Sequence, residues 1–61
     1  MQITITLRTE NDAFGDYPET EVARILEAIA EDIRRTGIAY GFTDPLHDVN
    51  GNRVGEIQVR Q

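Results

Sequence analysis

The chain has no cysteine, lysine, serine or tryptophan, and a single histidine in its 61 residues. Without cysteine there are no disulfides, no thiolate nucleophile and no Cys-type zinc site, a composition that fits a reducing cytoplasm. Without serine, threonine and tyrosine are the only side-chain hydroxyls, and none is flanked by a recognisable nucleophile motif. His47 lies near Asp44 and Asp48 in sequence, the combination that a general base and its orienting carboxylate would use. Its neighbours along an alternating strand point to opposite faces, so His47 reads as a surface residue and the chain as not an enzyme. Long apolar runs are missing too. Met1-Gln2-Ile3-Thr4-Ile5-Thr6 alternates instead of running apolar over the roughly 7–15 residues of a signal sequence, and no stretch would span a bilayer. The expectation is a soluble protein that stays where it is made.

Positive charge is the scarcer sign. Six arginines stand against eleven carboxylates, for a net charge of −5. Affinity for nucleic-acid phosphate comes from a basic surface that releases counterions, so direct nucleic-acid binding is disfavoured and a basic protein partner fits better. A net charge of roughly 2–8 units is also ordinary for solubility alone.

What is present is organised around Tyr17 to Thr36. Val22, Ile25, Leu26, Ile29 and Ile33 recur at a period near 3.6 and form one apolar stripe of an amphipathic helix. Asp16 is placed to cap it, with Glu19 three residues on in capping-box spacing and Pro18 in the first turn. Arg34 and Arg35 face the negative pole of the helix dipole, and Gly37 supplies the positive φ that ends the helix.

Before the helix, residues 2–9 alternate, with Ile3, Ile5 and Leu7 on one face and Thr4, Thr6 and Arg8 on the other, the pattern of a half-buried strand. After it, Ile38 to Pro45 carries Tyr40 and Phe42 in alternation with two glycines and a proline, which indicates an irregular extension or an edge strand. Residues 46–60 read as a hairpin. Asn50-Gly51 is the signal for a two-residue type I′ turn, which would pair Asp48 with Arg53 and His47 with Val54. Gly55 reads as a bulge or a point of close contact, and Val54, out of phase with Ile57 and Val59, supports the bulge. The same Asp48-to-Asn52 run has alternating oxygen ligands around a glycine, but a calcium loop of the EF-hand kind needs its glycine at position 6 and a glutamate at position 12, and Val59 stands at position 12. No metal or cofactor is expected.

The order strand, helix, hairpin gives an α+β fold of the βαββ type: one amphipathic helix packed on a three-stranded antiparallel sheet of order 1-3-2, in a single domain. A chain this short buries only about 60 % of its unfolded surface, so its stability is marginal. The first strand has little defence against pairing with another chain, which makes a homodimer with a continuous sheet the expected assembly.

Glu10, Asp12, Asp16, Glu19 and Glu21 place five carboxylates between the first strand and the first helical turn, with no basic residue among them. Phe14 lies on the same loop, where it serves either as an apolar plug against the helix or as a displayed contact. These six residues are the candidate partner-binding surface.

The blocks Asn11-Asp12-Ala13-Phe14-Gly15, Glu21-Val22-Ala23-Arg24-Ile25-Leu26 and Asp48-Val49-Asn50-Gly51-Asn52-Arg53-Val54-Gly55 make the chain resemble a group of short proteins encoded in phages and prophages of bacteria. The resemblance covers most of the chain outside Gly37 to Leu46. It implies a setting in the cytoplasm of a bacterial host, and no catalytic residues. The function expected from it is that of a non-catalytic phage accessory protein that binds a host protein, such as an inhibitor of a defence nuclease or CRISPR complex. The alternative is a self-assembling, β-augmented dimeric module that binds a small molecule or peptide.

Overall fold

In the computed structural model, which describes residues 1–61, strand β1 (Gln2–Leu7) leads through a 3-10 turn (Asp12–Phe14) into helix α1 (Pro18–Thr36), followed by strands β2 (Thr43–His47) and β3 (Arg53–Arg60). The sheet is antiparallel with order β1-β3-β2, so the βαββ expectation holds.

The helix runs where its periodicity puts it, but its start differs from the expectation. Tyr17, not Asp16, is the N-cap residue, and no side chain caps it. Pro18 disfavours the helical conformation at the residue before it, so Tyr17, at φ −134° and ψ 72°, is the last non-helical residue and Asp16 falls one position too early. At the other end Gly37 adopts φ 79° and its N–H donates to the Ile33 carbonyl at 2.8 Å.

β1 is shorter than residues 2–9, although the Arg8 N–H still reaches the Val54 carbonyl at 2.7 Å. The hairpin is longer than residues 46–60, because β2 begins at Thr43 and accommodates Pro45 on an outer strand. The turn also differs. Asn50 does not take a positive φ; Gly51 does, at 85°. The Gly51 N–H closes a four-residue turn on the Asp48 carbonyl at 3.0 Å, and the Asp48 N–H donates to the Asn52 carbonyl at 2.9 Å. The loop is therefore Val49-Asn50-Gly51, a three-residue connection with glycine at the positive-φ position. His47 pairs with Arg53 instead of Val54. Between Leu46 and His47 the register shifts, which leaves Val54 as the extra residue and turns its side chain into the core.

The core is built from Phe14, Ile25, Ile29, Leu46, Val54 and Ile57, with Leu7, Ala13, Val22 and Ile33 packed around it. It lies toward the hairpin-turn end of the sheet. At the other end Ile3 and Ile5 share a sheet face with Val59 and Ile57, yet they remain 40 % and 41 % exposed. The expected contact of this whole face with the helix is thus only partly made. The molecule measures 36 × 19 × 17 Å with a radius of gyration of 12.0 Å. About 10.5 Å is typical of a compact chain of this length.

Candidate functional site

The three sequence blocks converge at one end of the molecule, on two buried carboxylates. Asp48 opens the hairpin turn and accepts from the Asn50 and Asn52 backbone N–H groups at 2.9 Å each. Its other oxygen accepts from Asn52 Nδ2 at 3.3 Å and from Asn11 Nδ2 at 2.7 Å. Burial pushes the Asp48 carboxyl up, but the N–H groups of Asn52, Asn11 and Asn50 outweigh it and hold the group below its ordinary value. Asp48 is not beside Arg53 as the two-residue turn would have placed it. Arg53 instead lies 3.6 Å from Glu56.

Glu21 projects from the first turns of α1 toward the same place. Arg24, one turn along the helix, grips it with two hydrogen bonds of 2.8 and 2.9 Å, and the Val49 N–H donates to it at 2.7 Å. The Arg24 guanidinium holds the Glu21 carboxyl below the usual range, opposed by burial, and Glu21 in turn raises Arg24. A paired and hydrogen-bonded buried charge is tolerated where an isolated one is not. No buried side-chain nitrogen or oxygen lacks a partner anywhere in the chain.

The six residues of the candidate surface therefore separate into two groups. Phe14 is 3 % exposed and Glu21 7 %, so both face inward, Phe14 as part of the core and Glu21 as a strut between helix and hairpin. Glu10, Asp12, Asp16 and Glu19 are exposed around this junction. Five of the six arginines pair with Glu21, Glu31, Asp32 or Glu56, and Arg60 donates to Gln58. None is within ion-pair distance of the four exposed acids. Arg34 and Arg35 lie about 23 Å along the helix from Glu19. Arg8 and Arg53 do line a shallow depression with Glu10, so the negative pole is concentrated at Asp12, Asp16 and Glu19.

Asn11 and Asp48 were not among the candidate site residues, although both carried a signal. Asn11 precedes a short turn that its side chain caps, and Asp48 stands two residues before Asn50 in Asx-turn spacing. Nothing in the sequence said that these two local devices would meet. His47 is exposed, and no three histidine, aspartate or glutamate side chains gather at one point to hold a metal ion.

A second concavity lies between α1 and β2. This cleft of about 180 Å³ has Ile25, Ile29, Leu46 and Ile57 at its base and Asp44 and His47 among its polar lining. No helix is long and apolar enough to cross a membrane. Comparison with protein-family models, curated proteins and solved structures gives no match.

Proposed function

We propose that the chain is a non-catalytic accessory protein of the phage type its sequence blocks resemble, and that it binds a basic host protein through Glu10, Asp12, Asp16 and Glu19. The observation that carries this reading is the separation of charge. Five of the six arginines are paired with carboxylates elsewhere, while these four acids form no ion pair. Such a pole steers association with a positive surface and raises the on-rate in a salt-dependent way. A nucleic-acid-binding host factor, including a defence nuclease or CRISPR complex, presents the kind of basic surface that complements it. Charge reversal at Asp12, Asp16 and Glu19 tests the reading, because it removes the pole and leaves the core and the Glu21 and Asp48 network untouched.

A second reading, a module that binds a small molecule or peptide, draws on the apolar cleft between α1 and β2. Ligand-dependent line broadening confined to Ile25, Ile29 and Leu46 methyl groups would favour it over the first.

A further inference from the structure

The sheet ends at β1 in an open edge whose chemistry is legible residue by residue. β1 has no carboxylate and no proline, in a chain with a net charge of −5. The Arg8 N–H points toward β3, while on β3 the Val59 N–H and carbonyl bond Phe42 and Gly41 on the opposite side. Backbone groups alternate sides along an antiparallel strand. Gln2, Thr4 and Thr6 therefore bond β3, and the N–H and C=O groups of Ile3, Ile5 and Leu7 point outward, without a partner in this chain. The side chains of the same three residues lie on the helix side of the sheet, opposite Val59, Ile57 and Gly55. Leu26, 42 % exposed, is on the flank of α1 away from Ala28 and Asp32, which line the cleft on the β2 side.

We propose that β1 pairs antiparallel with β1 of a second copy about a two-fold axis at Ile5, giving a six-stranded sheet with both helices on one face. In this register Ile5 faces the partner's Ile5, Ile3 faces the partner's Leu7, and Thr4 faces the partner's Thr6. Every outward N–H and C=O of Ile3, Ile5 and Leu7 is then used, because the residues that face each other are the ones whose backbone points outward. Apolar side chains meet apolar ones and threonine meets threonine, the cross-strand pairs that stabilise sheets. A shift by one residue would set isoleucine against threonine and break both conditions at once.

The occupant is a second copy because the match is of the strand with itself, and because β1 brings two acidic molecules together where neither carries a carboxylate. The β2 edge offers no equivalent. It contains Asp44 and Pro45, and a proline is tolerated on an outer strand with its missing donor facing away from the sheet. This pairing is independent of the acidic-pole reading, and neither stands or falls with the other.

Sedimentation of the intact chain, with amide exchange by NMR, tests it. The expected result is a species of twice the 6.9 kDa chain mass. The amides of Ile3, Ile5 and Leu7 should gain protection as concentration rises, while those of Thr4 and Thr6 are protected throughout. A synthetic chain methylated on the Ile5 backbone nitrogen loses no hydrogen bond within one copy, and should be a folded monomer by circular dichroism. Ile5→Lys should be monomeric as well. A native chain that stays monomeric at millimolar concentration, or a dimer that survives the Ile5 N-methyl group, would overturn the proposal.

Discussion

Asn11 donates from Nδ2 to Oδ2 of Asp48 at 2.7 Å, joining residues 37 positions apart. Its Oδ1 meanwhile accepts the Ala13 N–H at 3.1 Å and starts the turn that delivers Phe14 to the core. One amide side chain thus fixes both the loop before the helix and the hairpin after it. Replacing it with alanine removes the cap and one donor to a buried carboxylate, and should cost about 1–2 kcal/mol. Asn11→Asp should cost more, since it keeps the cap but sets a second negative charge against Asp48. Thermal denaturation of the two variants checks the order.

The two buried carboxylates also set the response to acid. In the unfolded chain Glu21 and Asp48 return to about 4.5 and 3.8, and in the folded chain both are lower. The unfolded state therefore binds more protons through this range, so stability rises with pH and is lost on acidification. The contribution of these groups is complete above their unfolded values and is lost as pH drops through the folded ones. Arg24, raised by Glu21, adds a contribution that disappears only in strong alkali. Denaturant midpoints should be level near neutrality and decline below about pH 4.5. Glu21→Gln and Asp48→Asn should lower the neutral plateau and flatten the acid limb.

The hairpin turn makes opposite demands on its two signature residues. Gly51 holds φ 85°, so Gly51→Ala should cost about 1–2 kcal/mol. Asn50 has no positive φ, and its exposed side chain makes none of the turn's hydrogen bonds, so Asn50→Ala should stay within about 0.5 kcal/mol. A two-residue type I′ turn would have made both substitutions costly. Chemical denaturation of the pair separates the two geometries.

Gly55 is required for close approach, not for backbone freedom. A Cβ there would fall 1.8 Å from the Thr6 carbonyl oxygen and 2.8 Å from its carbon, both backbone atoms of the adjacent strand. Gly55→Ala must push β1 off β3 and should cost about 3 kcal/mol or more, enough to unfold much of so small a domain. Loss of the far-ultraviolet strand signal at room temperature is the expected readout.

Elements whose signal is local were legible in the sequence. The helix followed from the spacing of Val22 through Ile33, and the strand order from one helix separating a strand from a hairpin. The phase of Val54 supported the bulge. What escaped was decided by competition between neighbours: Pro18 displaced Asp16 from the cap, and the Asp48 carboxylate reset the turn that Asn50-Gly51 alone would have formed. The charge pattern from Glu10 to Glu21 was visible as composition. That Glu21 belongs to Arg24, and Phe14 to the core, depends on which way the helix faces the hairpin, and periodicity does not encode that.

The acidic pole is tested most directly by capture from bacterial lysate at low and high salt, comparing the native chain with D12R/D16R/E19R. Loss of the helix-terminal Glu19 alone is worth only about 0.3–1 kcal/mol, so the variant should stay folded, as its circular dichroism would verify. The account predicts a host protein held by the native chain at low salt, released at high salt, and absent from the variant. Equal capture by both chains, or none by either, would contradict it.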